Sequence, residues 1–225
     1  MKVLALDAAT EALSVALYDA ADTQVAREHF EIAPRAHATR LLPTAQRLLD
    51  EAGWQLAMLD GLAFGRGPGA FTGLRIAAGL IQGLAYGADL PVAPVSTLAA
   101  LATRACSRHQ GDAVRVVQDA RMGEIYTADF CCAAEQPQLI NEERVIRPAA
   151  LAAGAGGYDN WLFAGNGWPV LAAAGTLVPD TICEQWPHAL DIARLGAAML
   201  ARGEGVAAHA ALPVYVRDEV ARKPP

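Results

Sequence analysis

The chain has 225 residues, of which 53% are hydrophobic and 19% are charged, and its formal net charge is −6. This length is enough to bury a core as one large domain or as two small lobes, and the apolar content excludes a disordered chain. Affinity for nucleic acid rests largely on Lys and Arg side chains that neutralise phosphates, so the negative charge disfavours independent binding of a polyanion. Any contact with RNA is therefore expected to depend on a partner protein.

Neither a membrane span nor a secretory signal is predicted. The longest apolar run, residues 76–88, is interrupted by glycines and ends at Asp89, short of the roughly 20 apolar residues that a span needs. The N-terminal MKVLAL reaches Asp7 before an apolar core of about 7 to 15 residues can form. We therefore expect a soluble, cytoplasmic protein.

The cysteines and histidines show no metal-binding spacing. No two cysteines form a CxxC pair, so reduced thiols are expected, and no two histidines lie three to five residues apart, as in helical or finger-type zinc sites. A metal site would have to be assembled from scattered ligands. The cysteines are Cys106, Cys131, Cys132 and Cys183.

The first half of the chain predicts a β-meander followed by alternating helices and strands. Three short strands, KVLALD, LSVALYDA and QVAREHFEI, are separated by polar turns. Apolar residues then recur every three and four positions over residues 36–52, which predicts an amphipathic helix that Gly53 ends and that Pro43 begins or kinks. A strand over 59–64, a glycine turn, a helix over 71–86, the strand PVAPV and a helix capped by Ser96 or Thr97 follow.

The second half repeats this order less clearly. AVRVVQDA, GEIYTADFCC and LINEERVI predict a second meander, followed by a helix near 148–153, the glycine-rich GAGG, the strand WLFAG and an alanine-rich helix. TICEQW is a further candidate strand, and residues 188–202 predict a helix. We therefore predict a duplicated α/β unit with a cleft between lobes 1–107 and 108–225, and we expect the half-apolar tail ALPVYVRDEV to dock back on the first lobe.

The glycine turn GRGPGAFTGLR, residues 65–75, could hold a phosphate or could only let two stretches of backbone come close. It has neither the Lys-Ser/Thr pair of a Walker motif nor the spacing of a dinucleotide fingerprint. Pro68 also removes one N–H donor that a phosphate cradle would use. We therefore favour a packing turn over a phosphate loop.

Two acidic residues stand at matching strand ends and could flank the cleft. Asp7 follows the first strand, near Thr10, and Asp119 ends the first strand of the second half, with Arg121 and Glu124 close behind. An acid in this place can orient a metal-bound water or a phosphate, although an Asp after a strand is also an ordinary turn former. A hydrolase is disfavoured, because the sequence contains no GxSxG elbow.

Taken together, DAATEALSVAL, FGRGPGAFTGLRIAAGLIQGLA, PVSTLAALA, QDARMGEIY, AGNGW and LPVYVR resemble the bacterial TsaB (YeaZ) family, relatives of the TsaD/Kae glycopeptidase-like proteins. The resemblance spans the whole chain. It implies an α/β fold of the two-lobed actin/Hsp70 (ASKHA) type. It also implies a role in the threonylcarbamoyl modification of the adenosine beside the anticodon, in tRNAs that read codons beginning with A.

The resemblance further implies that the chain is an auxiliary subunit and not the catalyst. TsaD-type relatives carry two metal-binding histidines four residues apart, where this chain has Thr97 and Leu101. Neither side chain can replace an imidazole as a metal ligand. The implied partners are a TsaD-type transferase and a TsaE-type ATPase, with tRNA reached only through the complex. No intrinsic cofactor is implied, although ATP or ADP could bind at the joint with the partners.

The helices over 36–52 and 71–86 each carry an apolar seam, and in the second the small residues Gly79 and Gly83 leave room for another helix. Such a seam can pack inside its own lobe or face another subunit. The resemblance places these helices at the family's dimer interface, which favours a partner surface, used by TsaD or by a second copy of this chain. The predicted contact residues are Leu41, Leu42, Leu48, Leu74, Ala77, Ile81 and Leu84. The alternative function is an ATP-binding enzyme, an ATPase or small-molecule kinase, with its site between Asp7 and Asp119.

Overall fold

The structure, a computed structural model, describes residues 1–22, 26–132, 136–151, 159–176 and 178–216. Within these residues the strands are β1 (Lys2–Asp7), β2 (Ala12–Asp19), β3 (Ala26–Ile32), β4 (Gly61–Gly67), β5 (Val92–Ser96), β6 (Ala113–Arg121), β7 (Glu124–Cys131), β8 (Gln138–Leu139), β9 (Arg144–Ile146) and β10 (Trp161–Ala164). The helices are α1 (His37–Ala52), α2 (Phe71–Ala88), α3 (Thr97–Arg108), α4 (Trp168–Ala173) and α5 (Ala189–Ala201).

The first sheet has the strand order β3-β2-β1-β4-β5. The meander β1 to β3 is antiparallel, whereas β4 and β5 join β1 in parallel, because a helix connects each of them to the preceding strand. Both faces are covered: Leu4 and Leu6 pack towards α1 and α2, and Val3 and Ala5 pack towards α5. Strands that are buried on both faces have nearly continuous apolar sequences, which explains the composition of KVLAL and ALSVAL.

The second sheet repeats this arrangement in shorter form. Its order is β10-β6-β7-β8, with β9 also paired to β7. As β1 does, β6 has an antiparallel partner from its own meander and a parallel partner that follows a connection, here β10. Helix α3 covers one face, through Leu98 and Leu101, and α4 covers the other, through Leu171. The predicted duplicated α/β unit is therefore confirmed.

Two helices each pack on the sheet formed by the other half of the chain. Helix α3, which follows β5 of the first sheet, packs on the second sheet, and α5, which comes late in the chain, packs on the first. After α5 the chain stays on the first lobe, where Val206 bridges to Val92 and the amide of Val214 donates to the carbonyl of Arg66 at 2.8 Å. Of the described helices, none is long and apolar enough to cross a bilayer.

Most predicted elements agree with the structure, and those of the second lobe need corrections. The predicted strand LINEERVI is two short strands, β8 and β9, and the helix predicted near 148–153 is a single 3-10 turn, Pro148–Ala150. TICEQW, residues 181–186, makes an isolated bridge between Glu184 and Ala164 and no strand. The GAGG segment, residues 154–157, lies outside the described residues.

The prediction of reduced thiols is wrong for two of the cysteines. Cys106 and Cys132 form a disulfide, with their Cα atoms 5.4 Å apart, within the range that the bond requires. The pairing follows from tertiary packing, because α3 lies on the second sheet and its last turn meets the end of β7. Spacing in the sequence could not reveal it, since the two cysteines are 26 positions apart. Cys131 and Cys183 are not disulfide-bonded.

Candidate functional site

The glycine turn packs closely against the turn between β1 and β2. A Cβ added at Gly69 would overlap the carbonyl oxygen of Ala9, and one added at Gly73 would overlap the carbonyl oxygen of Ala8. The amide of Ala70 donates to the Ala9 carbonyl at 2.7 Å. Only glycine allows backbone to approach backbone in this way, so these glycines fix the start of α2 against the first meander.

Asp7, at the end of β1, is sealed inside the protein. Its side chain is 0% exposed, its Oδ2 accepts a hydrogen bond from the Ala9 amide at 3.3 Å, and its Oδ1 has no hydrogen-bond partner among the described residues. The carboxyl lies directly against Gly65, where a Cβ would overlap Oδ1. Burial raises the pKa of Asp7 to about 7, although the Ala9 N–H opposes the shift. A buried and partly protonated carboxyl is poorly suited to orient a metal-bound water.

Asp119, at the matching strand end, is bound by its own hairpin. Its two carboxylate oxygens accept hydrogen bonds from the backbone amide of Arg121 at 2.7 Å and from the guanidinium of Arg121 at 3.0 Å. The same guanidinium pairs with Glu11, which lies between β1 and β2, so Arg121 connects the two lobes. The turn of this hairpin contains three successive residues with positive φ angles, Arg121, Met122 and Gly123.

The structure brings only part of the predicted cleft together. Thr10, Asp119 and Arg121 line one cavity of about 200 Å³ between the lobes. Asp7 and Glu124 are not among its described lining residues. Pockets that hold drug-sized ligands measure about 300 to 1,000 Å³, so this cavity is small for a nucleotide.

The C-terminal stretch forms part of the wall of this cavity. Val214 and Tyr215 line it, together with Phe71 from the first turn of α2. Arg75 lies over the Phe71 ring, 3.8 Å from its centroid, and donates to the hydroxyl of Tyr215 at 3.0 Å. Residues of both lobes and of the C-terminal stretch therefore surround this cavity.

Five of the seven predicted contact residues are buried in the first lobe and do not reach a surface. These are Leu41, Leu48, Leu74, Ala77 and Ile81, each at most 3% exposed. Four of them belong to the core cluster of the first sheet, and Leu74 lies beside Gly67, so the apolar seam of each helix points inwards. Their burial leaves little of these five side chains for direct contact with a partner, and the interface stays a prediction. Leu42, at 48% exposed, and the half-buried Leu84 remain at the surface.

The outer face of α2 is uncovered and unusually smooth. Gly79, Gly83 and Gly87 are exposed there, and a Cβ added at any of them would meet no atom of the described residues within 4 Å. Leu80 is half-buried beside them, and Tyr86, at 86% exposed, closes the stripe at its C-terminal end. We call this face, formed by Gly79, Leu80, Gly83, Tyr86 and Gly87, the α2 outer face. It allows a second helix to approach closely, because no side chain projects from the glycines.

Sequence reasoning missed a polar junction that joins β2, β3 and α5. The Glu28 carboxylate accepts hydrogen bonds from Ser14 at 3.0 Å and from the amide of Leu190 at 3.1 Å, and it contacts His188 Nδ1 at 3.0 Å. Burial opposes ionisation of Glu28, but these bonds and the charge of His188 hold its pKa below the usual value. The Ser14 hydroxyl in turn accepts from the amide of Ala189. The junction caps α5 from outside the helix, so no local motif could indicate it.

The positions matched to the metal-binding histidines of TsaD-type relatives lie inside the protein. Thr97 and Leu101, in the first two turns of α3, are both 0% exposed. Among the described residues no group of three His, Cys, Asp or Glu side chains is arranged to hold a metal ion.

Comparisons with known proteins agree with this architecture. A family model described as "TsaD: tRNA N6-adenosine threonylcarbamoyltransferase" matches residues 29–223. The tRNA threonylcarbamoyladenosine biosynthesis protein TsaB of Escherichia coli K12 is 37% identical over 99% of this chain and 97% of its own length. The protein of the same name from Haemophilus influenzae is also 37% identical, over 99% and 96%.

Two solved structures match nearly the whole chain. YeaZ from Pseudomonas aeruginosa superposes with a TM-score of 0.85 at 42% identity, covering 95% of this chain and 100% of that one. A structure described as an uncharacterized protein with similarity to peptidase YEAZ from Pseudomonas aeruginosa gives a TM-score of 0.86 at 43% identity, over 96% and 99%.

The two sheets with matching strand order define a two-lobed α/β protein built from a duplicated unit. Within that class the near full-length matches decide the family. The chain belongs to the TsaB (YeaZ) family.

Proposed function

We infer that this protein takes part in the biosynthesis of threonylcarbamoyladenosine in tRNA. The inference rests on relatives that carry this activity in their names and that match the chain from end to end at 37% identity. We place the protein in the cytoplasm, where tRNA is modified.

Within that pathway we propose that the chain is a non-catalytic subunit that holds a TsaD-type transferase in its active form, together with a TsaE-type ATPase. The absence of imidazoles at Thr97 and Leu101, the small volume of the cleft and the complete burial of Asp7 support an auxiliary role. Contact with tRNA then occurs through the complex, and ATP or ADP binds, if at all, at the joint between subunits.

The observation that carries the docking proposal is the α2 outer face. Its glycines have open space where side chains would stand, which is the surface that a closely packed helix of a partner needs. Leu42 on α1 adds an exposed apolar side chain from the neighbouring helix. In the absence of the transferase, a second copy of this chain can use the same face to form a homodimer.

A charged substitution on the α2 outer face tests this directly. Gly83→Arg places a charge where no described part of the chain lies within 4 Å, so the fold should persist. At the centre of an interface a buried unpaired charge should weaken binding to the TsaD-type protein by roughly 100-fold or more. Affinity is measured by calorimetry, and folding by thermal melting. Ala173→Arg is the matched control, because it adds the same charge to an exposed position on the second lobe.

A folded Gly83→Arg variant that binds the transferase as tightly as the unmodified protein would reject this face. Loss of binding in both variants would instead point to a general effect of charge. The buried residues Ala77 and Ile81 are unsuitable for this test, because charges there would disrupt the core of the lobe.

The alternative, an ATPase or small-molecule kinase with its site between Asp7 and Asp119, has weaker support. Asp7 does not line the cavity, and the cavity is about 200 Å³. Calorimetry of the isolated chain with Mg²⁺ and ATP separates the two functions. Micromolar affinity that is lost in Asp119→Ala would favour the enzyme.

A further inference from the structure

The disulfide lies at the rim of a groove on the back of the molecule. Cys106 belongs to the last turn of α3, and Cys132 directly follows β7. Both residues are half-buried and line this groove. The groove between them and α5 has a volume of about 580 Å³ and is also lined by Arg194 and Tyr18.

A groove of this size can hold a small molecule beside the disulfide. Binding sites for drug-sized ligands measure about 300 to 1,000 Å³, and a thiol with the bulk of a tripeptide falls within that range. Thr103, Ser107 and Gln136 supply polar side chains along the groove, and Arg194 supplies a cation. A thiolate that enters the groove therefore meets polar partners near an accessible disulfide.

The setting makes a permanent structural disulfide unexpected. In the cytoplasm, where the proposed function places this protein, glutathione and protein dithiols keep most thiols reduced. Disulfides in that compartment are usually transient, and those that are accessible to solvent are the exchangeable ones. Cys106 and Cys132 combine close pairing with access from a groove.

We propose that Cys106 and Cys132 form a thiol-exchange site that accepts low-molecular-weight thiols such as glutathione. The thiolate of the small molecule attacks one Sγ, forming a mixed disulfide as the bond between the two cysteines breaks, and the other cysteine leaves as a thiolate. A second small thiol attacks the mixed disulfide, releases the oxidised small-molecule disulfide and leaves the first cysteine as a thiolate. The protons of the two small thiols are transferred to the two cysteines, so two reduced thiols remain.

Exchange at this site is independent of the proposed docking. Helices α1 and α2 cover the Leu4 and Leu6 side of the first sheet, whereas α5, which lines the groove, covers the Val3 side. The groove therefore stays open when a partner occupies the α2 outer face. A failure of docking and a failure of thiol exchange are distinguishable, because one is measured by affinity and the other by the state of the cysteines.

The experiment is peptide mapping by mass spectrometry without reductant, on the full chain equilibrated in oxidised glutathione and then in rising concentrations of reduced glutathione. A cross-linked peptide joining Cys106 and Cys132 is expected first. Rising thiol should convert it to a mixed disulfide at one of these two residues and then to two alkylatable thiols. Because the bond closes a loop with a sequence separation of 26, full reduction should lower the melting temperature by roughly 5 to 10 °C.

Single cysteine substitutions show which residues take part in thiol exchange. Cys106→Ser should trap glutathione at Cys132, because no second thiol is left to displace it. Cys131→Ser and Cys183→Ser are the matched controls, since neither residue is in the disulfide, and both variants should behave like the unmodified protein.

Three results would overturn the proposal. The first is full alkylation of Cys106 and Cys132 in oxidised glutathione, which would mean that they do not pair. The second is glutathione attached mainly to Cys131 or Cys183. The third is a disulfide that a thioredoxin-type protein dithiol opens and glutathione does not, because the groove would then not admit small thiols.

Discussion

Asp7 and Asp119 stand at equivalent ends of the first strands of the two duplicated units, yet they have opposite environments. Asp7 is fully buried against Gly65, and its pKa is raised to about 7 by burial. Asp119 remains partly accessible and is held by Arg121 at the edge of the cleft. Helix α5 packs on the first sheet and places Ile192 beside Gly65, next to Asp7, whereas Asp119 lines the cavity between the lobes.

This comparison shows that equivalent strand ends in a duplicated fold can have very different surroundings. Two acids that are to orient a metal-bound water must both reach the cleft, and here only one lines it. The surface that stays open is instead the outer face of α2. Because only one acid lines the cleft and the α2 outer face is open, we propose that the helices, and not the cleft, bind a partner.

The largest effect is expected from Asp7→Asn. Because the folded pKa of about 7 exceeds the unfolded value of 3.8, the stability linked to this proton is fully present below pH 3.8 and is lost as the pH rises through 7. We expect the unmodified protein to lose roughly 2 to 4 kcal/mol of unfolding free energy from this group between pH 4 and 8. The Asn variant lacks this loss and should be the more stable protein at pH 8, as measured by urea denaturation.

Asp119→Asn is the matched control for that series. The ion pair with Arg121 is partly exposed, and pairs of this kind contribute about 0 to 1 kcal/mol. A pH dependence that disappears in the Asp119 variant and persists in the Asp7 variant would contradict the contrast between the two sites.

Gly65→Ala should show how tightly Asp7 is enclosed. The added Cβ would overlap Asp7 Oδ1, and overpacking of this kind costs about 1 to 3 kcal/mol. Gly83→Ala, on the α2 outer face, makes the same chemical change in open space. It should leave stability unchanged or raise it by up to about 1 kcal/mol, since alanine is the better helix former. Equal thermal shifts in the two variants would show that Gly65 is not confined.

A third acid tests the reverse direction of the pH effect. The pKa of Glu28 is held low, so its contribution is present above the unfolded value of 4.5 and is lost as the pH falls through the folded value. Glu28→Gln should cost about 1 to 2 kcal/mol at pH 7, because it weakens the cap of α5, and less at pH 3. Denaturation at both pH values measures this, and an equal cost at both would exclude the ionised carboxylate as the cause.

Local patterns predicted the elements of the first lobe well and their surroundings poorly. Periodicity placed α1 and α2 within two residues of their observed bounds, because apolar spacing of three and four is a local property. The same pattern could not say which side faces a partner. An inward seam and an interface seam have equal spacing, and five of the seven residues assigned to the interface are in the core.

Features that depend on distant segments could not be predicted. The burial of Asp7 requires α5, and the cap on α5 requires Glu28, 160 positions before His188. The Cys106–Cys132 pair likewise requires α3 to cross to the second sheet. The matched strand ends of Asp7 and Asp119 were predictable, because they follow from the repeated order of strands.

The central claim is that this chain is required for the modification without catalysing it. The most direct test is a reconstituted assay with a tRNA that reads codons beginning with A, threonylcarbamoyl-adenylate, and purified TsaD-type and TsaE-type proteins, with this protein added or omitted. We expect threonylcarbamoyladenosine only when this chain and the transferase are both present, and none from this chain alone. Equal product without this chain, or product from this chain alone, would contradict it.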